Sequence, residues 1–219
     1  MVKINLTTTK QAAQNIFSRL NWKVYKPTLI SIITFLSIFP CILFFPERYA
    51  WENHFIENFQ LIILFIIFLI ALNSPRYKKL FNWITIITVI LFLREINCGR
   101  IFFKIEGCIK PTFKVWNEIL PFPYNYIPII LYSLLMFYAV FYFFKSKAYI
   151  DLFKIIKFAK IDCINTLFIL FSIILGTLSE NKFHNVVLEE TTETLFYVSF
   201  CVLVYLYGYN KNYSIKWKK

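Results

Sequence analysis

The chain has 219 residues, of which 58% are hydrophobic, 21% are aromatic and only 16% are charged. Soluble domains carry about a quarter charged residues and disordered chains contain few Phe and Ile, so this composition excludes both classes and predicts an all-α bundle embedded in a lipid bilayer. The 24 Lys and Arg against 12 Asp and Glu would indicate nucleic acid in a soluble protein, but a membrane orientation explains the excess, so we expect no nucleic-acid partner.

Six apolar runs, separated by charged residues, Pro and Asn, are each near the length of about 20 residues that crosses a hydrocarbon core. They lie at about 28–46, 53–72, 80–103, 124–144, 161–178 and 189–209. The first run lacks a small-x-small cleavage site and predicts a signal anchor. We therefore expect a basic amphipathic segment at 1–27, a six-span membrane domain at 28–209 and a basic tail at 210–219.

The basic residues predict the orientation of these spans. Four alternate segments hold 17 of the 24 Lys and Arg, whereas 10 of the 12 acidic residues fall in the other connections. Cytoplasmic loops carry the excess of Lys and Arg. With an even number of spans, both termini are expected in the cytoplasm, and the protein is expected in the bacterial inner membrane.

Three connecting segments have an amphipathic pattern that is typical of helices lying on a membrane surface. They are residues 10–26, residues 147–160 and the stretch that Pro111 begins and Pro121 ends. We expect all three to contact the lipid bilayer.

Polar residues flank three of the apolar runs on the predicted outer side. The uninterrupted apolar parts of the second, third and sixth runs are only 14 to 16 residues long, too short to cross the core. The polar residues beside them are therefore expected about one turn inside the outer interface. They are Glu57, Gln60, Arg94, Glu95, Arg100, Glu189, Glu190 and Glu193.

Helical spacing places several of these side chains on common faces. Glu57 and Gln60 share one face of the second run, and Glu190, Glu193 and Tyr197 share one face of the sixth. A carboxylate in lipid costs about 2.5–3.5 kcal/mol, so these acids are expected to face the bundle and to be paired or metal-bound. The expected pairing partners are Arg94 and Arg100.

The first functional hypothesis is a metal-dependent hydrolase or a lipid-headgroup-modifying enzyme. Histidine nitrogen and carboxylate oxygen are ligands for zinc, manganese or iron, so a divalent metal is the expected cofactor. The candidate metal ligands are His184, Glu190, Glu193 and Glu57, and the candidate catalytic residues are Glu57, Glu95, His184 and Glu190. The residues expected to orient a lipid or another membrane-associated substrate are Arg94, Arg100, Gln60 and Tyr197.

Two other hypotheses use the same residues. The charged cluster is an ion-pair lock between helices in a non-enzymatic structural or partner-binding subunit, or Glu57 and Glu190 bind a cation or proton for transport. In the outer connection, Cys98 and Cys108 are either a disulfide or two free thiols.

Four short segments resemble a known group of proteins. They are residues 92–100 (FLREINCGR), residues 57–60 (ENFQ), His184-Asn185 and Glu189-Glu190. Together they resemble a group of uncharacterised bacterial multi-pass membrane proteins with an Arg-Glu…Gly-Arg signature, which implies no activity. The acids and histidines on one face are also similar, more distantly, to the alkaline-ceramidase and progestin-receptor-like membrane hydrolases. The chain departs from those hydrolases in having six apolar runs instead of seven and no trio of zinc-binding histidines, so no catalytic role is carried over.

Overall fold

A computed structural model of the chain describes residues 18–51, 55–96, 98 and 116–213. Within these residues the fold is all-α, with seven helices of eleven residues or more. They are α1 (Lys26–Phe44), α2 (Phe55–Leu72), α3 (Lys78–Glu95), α4 (Ile127–Lys145), α5 (Ala148–Phe158), α6 (Cys163–Leu178) and α7 (Val186–Tyr209). A single helical turn spans Trp116–Ile119, and a π-helical turn, Ser179–Phe183, follows α6.

Four helical stretches are long and apolar enough to cross a membrane: Lys26–Phe44, Phe55–Leu72, Tyr124–Lys145 and Cys163–Phe183. Helices α3 and α7 are less apolar. Helix α3 begins with two lysines and ends with Arg94 and Glu95, whereas α7 includes buried Thr and Ser side chains. Helix α7 contacts α1, α2 and α6, so much of its surface faces protein instead of lipid. A helix in that position has no need of a continuous apolar surface.

The main apolar core lies between α2, α3 and α7. Leu64, Ile67 and Phe81 are almost fully enclosed there, together with Val198 from α7. Helix α2 contacts both α3 and α7, and side chains of all three helices share this core, so their packing determines which polar residues meet at the helix ends.

Helix α3 (Lys78–Glu95) corresponds to the first part of the predicted third run at 80–103, and residues 97 and 99–103 of that run lie outside the described residues. The helix ends at Glu95, and Cys98 has a left-handed backbone with φ of 52°. An L-residue in that conformation cannot continue a right-handed α-helix, so the helix stops before it. The sixth helix starts before its predicted run at 189–209: α7 begins at Val186, where the Asn185 side chain caps the Leu188 amide at 2.9 Å.

Segments that are far apart in the chain meet at one end of the bundle, called here the basic end (residues 18–26, 74–78, 145–162 and 210–213). A short parallel pair joins β1 (Leu20–Asn21) to β2 (Ile161–Asp162). Arg76 Nη1 donates a 2.7 Å hydrogen bond to the carbonyl of Asn210. The segment before α1, the α2–α3 connection, the α5–α6 connection and the segment after α7 are therefore close together.

A buried carboxylate, Asp162, organises this end. Its Oδ2 accepts from the amide of Asn165 at 3.1 Å and so caps α6, while its Oδ1 accepts from the hydroxyl of Tyr213 at 2.8 Å. Burial, with the nearby carboxylate as a smaller cause, raises the pKa of the Tyr213 hydroxyl, which therefore remains a donor. Asn21 donates to the Tyr213 oxygen at 2.8 Å and brings in the chain before α1.

The structure describes one of the three predicted amphipathic segments in full and the other two in part. Helix α5 lies within residues 147–160; it buries Ala148 and Ile155 and exposes Phe153 and Ile156. Residues 10–17 of the first segment and residues 111–115 of the outer segment lie outside the described residues. That these segments lie on a membrane surface stays a prediction.

Candidate functional site

Polar side chains of α2, α3 and α7 meet at the opposite end of the bundle, called here the acidic end. Arg94, in the last turn of α3, forms two ion pairs. Its Nη2 lies 2.6 Å from Glu193 Oε1 in α7, and its Nε lies 3.2 Å from Oε1 of the adjacent Glu95. Half of the Arg94 side chain is exposed, whereas Glu95 is 6% exposed. Arg94 therefore links the end of α3 to the first turns of α7.

Tyr197 completes this connection from one turn further along α7. Its hydroxyl donates a 2.6 Å hydrogen bond to Glu95 Oε1, and its side chain is almost fully buried. Arg94, Glu95, Glu193 and Tyr197 are called here the charged bridge. A buried carboxylate is tolerable only when donors and a cation compensate its lost hydration, and here Tyr197 and Arg94 do so.

A second connection joins α2 to α7 through Gln60, which is fully buried. Its Nε2 lies within hydrogen-bonding distance of three oxygens: Glu190 Oε2 at 2.9 Å, the Glu190 carbonyl at 3.0 Å and Thr194 Oγ1 at 3.2 Å. Glu57 is also buried, one turn before Gln60 in α2. The predicted shared face of Glu57 and Gln60 therefore faces the bundle. Thr194 was not among the predicted site residues, although it follows Glu190 at the i, i+4 spacing.

The four predicted metal ligands have different surroundings at the acidic end, and metal binding by them stays a prediction. Within the described part of the chain, no three His, Cys, Asp or Glu side chains lie together as metal ligands. His184 is exposed and has a left-handed backbone with φ of 49° where the π-helical turn ends. Glu193 instead pairs with Arg94, and Glu190 with Gln60, so these acids are directed to different helices.

Two predicted residues cannot be placed. Arg100 and Cys108 lie outside the described residues, so neither the pairing of Arg100 nor a disulfide is tested. Cys98 is described and half-buried. The disulfide between Cys98 and Cys108 stays a prediction.

A pocket of about 300 Å³ opens between α3, α6 and α7 next to the charged bridge. Its polar wall contains Arg94, Glu180, Glu189 and Glu193, and its apolar wall includes Leu91, Ile173 and Phe196. Sequence reasoning missed the pocket. Gly176 also lines it, and the small side chains of Ser172 and Gly176, four residues apart, were the available signal for close packing between α6 and α7.

Comparison with known proteins identified no relative. No protein-family model, curated protein or solved structure matches the chain.

Proposed function

We propose that this chain is a six-span protein of the bacterial inner membrane, with both termini in the cytoplasm, and that it acts as a non-enzymatic structural or partner-binding subunit. The acidic-end network serves as a lock between helices. The observation that carries this proposal is that the charged bridge joins α3 to α7 while Gln60 and Glu190 join α2 to α7. Buried polar groups with partners on neighbouring helices hold those helices in one arrangement.

Two features support six spans. The two helices that are less apolar, α3 and α7, pack with helices that are apolar enough to cross. The four basic segments that were predicted cytoplasmic all contribute to the basic end, as alternating spans require. The positive-inside rule assigns that end to the cytoplasm.

An enzymatic role has less support from the geometry. Tyr197, Glu95 and Gln60 each bond to another helix, and Arg94 is engaged by two carboxylates. Side chains used in this way maintain the helix arrangement, and the metal ligands are not assembled in the part of the chain that the structure describes.

The lock is tested by comparing Glu95→Ala with Glu180→Ala. Glu95→Ala removes the acceptor of Tyr197 and one partner of Arg94, and we expect a loss of about 3 kcal/mol in the free energy of unfolding in detergent micelles. Glu180 is exposed and forms no ion pair with a described residue, so Glu180→Ala should change stability by less than about 0.5 kcal/mol. Equal stability of the two variants would contradict the lock.

Orientation is tested with reporters fused after Lys219 and within the connection after Glu118. A fluorescent protein that folds only in the cytoplasm should be active at the first position. Alkaline phosphatase should be active only at the second. The reverse pattern would exclude the proposed topology.

The pocket supports a second candidate function, the binding of a membrane-associated ligand by its polar headgroup. A cavity lined by both charged and apolar side chains matches an amphiphile. The pocket shares Arg94, Glu193 and Tyr197 with the lock, while its Glu180 and Glu189 are outside the lock, so one chain can have both functions.

A further inference from the structure

We propose that the pocket between α3, α6 and α7 binds the headgroup of a phospholipid that carries a primary ammonium group beside its phosphate. This inference rests on the second proposed function, ligand binding in the pocket, and names the class of ligand.

The walls of the pocket suit a lipid. The apolar wall includes Ile173 of α6, whose side chain is 52% exposed. Leu170 and Ile174 on the same helix are also exposed apolar side chains. The apolar part of the pocket is thus next to an apolar surface along α6, where an acyl chain can lie while its headgroup occupies the polar part.

The negatively charged side chains in the pocket favour a ligand with a cationic group. Three carboxylates and one guanidinium line it, and Glu193 is paired with Arg94. Glu180 and Glu189 form no ion pair with any described residue. The nearby Lys182 is exposed and does not line the pocket, so these two carboxylates give the site its negative charge.

The local backbone helps to place one of these carboxylates. Glu180 lies in the π-helical turn Ser179–Phe183, in which Ser179 is buried and its hydroxyl donates 2.8 Å to the Asn185 carbonyl. Single π-helical turns often occur at functional sites because the extra residue changes the direction of the side chains around it. Here the turn leaves Glu180 at the pocket, which Glu189 at the start of α7 also lines.

The chemistry of the headgroup follows from the donors and acceptors. A primary ammonium has three N–H donors for carboxylate oxygens, whereas a trimethylammonium group has none and prefers aromatic faces. Arg94 uses Nε and Nη2 for its ion pairs, and its Nη1 forms no ion pair with a described residue. A guanidinium edge of this kind is well suited to a phosphate oxygen. An ethanolamine-type phospholipid presents both groups next to each other.

The test measures lipid binding to the detergent-purified full chain. The probes are phosphatidylethanolamine, phosphatidylcholine and phosphatidylglycerol, each with the same fluorescent acyl chain and an unmodified headgroup. We expect phosphatidylethanolamine to bind about tenfold more tightly than phosphatidylcholine, because each charge-assisted hydrogen bond contributes about one such factor. Equal binding of these two lipids, or tighter binding of phosphatidylglycerol, would overturn the proposal.

Variants connect the preference to the pocket. The double variant Glu180→Gln with Glu189→Gln should lose the tenfold preference, while Glu47→Gln, at an exposed glutamate that does not line the pocket, should keep it. A preference that survives in the double variant would overturn the assignment. Displacement of the lipid by an equal concentration of soluble glycerophosphoethanolamine would overturn a lipid in favour of a soluble ligand.

A further variant distinguishes the proposed ligand class from the proposed function of the pocket, which is to bind a membrane-associated ligand. Thr177→Trp places a large side chain at a pocket-lining position and should weaken binding of all three lipids. If Thr177→Trp weakens binding but no headgroup is preferred, the ligand class is wrong and the pocket function stands. If Thr177→Trp changes no binding while thermal unfolding shows a folded chain, both are wrong.

Discussion

The hydroxyl of Tyr197 lies 2.6 Å from Glu95 Oε1, although the two residues are 102 positions apart in the chain. Both side chains are buried, and the same carboxylate oxygen lies 3.2 Å from Nε of Arg94. One oxygen at the end of α3 thus accepts a hydrogen bond from a neutral donor in α7 and forms an ion pair with a cation in its own helix. The free energy of unfolding should depend on such contacts between helices.

Replacement of Tyr197 by Phe removes a donor and keeps the ring. Because Glu95 then retains Arg94 alone, we expect the free energy of unfolding in micelles to fall by about 1.5–3 kcal/mol. Tyr205→Phe is the matched control, since Tyr205 is in the same helix but 41% exposed. A similar loss in both variants would show that the hydrogen bond to Glu95 has no special role.

Gln60 should be coupled to Glu190. Gln60→Leu leaves the Glu190 carboxylate without its amide donor, and we expect a destabilisation of about 2 kcal/mol. Adding Glu190→Leu should recover part of this loss, because replacing both partners by apolar groups removes the unsatisfied acceptor. The measurement is a double-mutant cycle of unfolding free energies. Strictly additive losses would argue against the coupling.

Asp162 should contribute most to the stability of the basic end. Asp162→Ala removes the cap of α6 and the acceptor of Tyr213, so we expect a loss of about 2–3 kcal/mol. Asp151→Ala is the control, because among the described residues Asp151 forms one ion pair, at 3.4 Å with the partly exposed Lys154. Its loss should be below about 1 kcal/mol in the same unfolding measurement. The assignment fails if the two losses are equal.

Gly208 allows α7 to approach the start of α3. A Cβ atom at this position would lie 2.9 Å from Ser74 Oγ and 3.1 Å from Phe81 Cε1. Gly208→Ala should therefore destabilise the protein by about 1–3 kcal/mol through overpacking. At Gly176 the nearest atom, Thr192 Oγ1, would lie 3.4 Å away, so Gly176→Ala should be tolerated. A tolerated Gly208→Ala with a destabilising Gly176→Ala would contradict this packing.

The positions of the helices could be read from the chain because their signals are local. The apolar runs at 28–46 and 53–72 correspond to α1 and α2 within a few residues, since apolar length and Pro or charged punctuation act on neighbouring residues. Helix α3 ends at Glu95, within the predicted run at 80–103. The left-handed backbone at Cys98 gives no apolar or charge signal of its own.

The sequence predicted which residues belong to the candidate site, but it did not predict which of them pair with each other. Spacing placed Glu190, Glu193 and Tyr197 on one helical face, and Arg94 was expected to pair with acids. That Glu193 pairs with Arg94 while Glu190 meets Gln60 depends on the rotation of α7 against α2 and α3. The packed core between the three helices determines that rotation, and the spacing within one helix carries no information about it.

The sequence by itself determined an all-α chain with helices apolar enough to cross a membrane, because the cost of placing polar groups in hydrocarbon acts on composition and run length alone. Tertiary structure decided that α7 packs against α1, α2 and α6, that Tyr197 reaches Glu95, and that His184 is exposed. These outcomes depend on which helix faces pack together and on the turn between α6 and α7. Contacts between residues distant in the chain fix both.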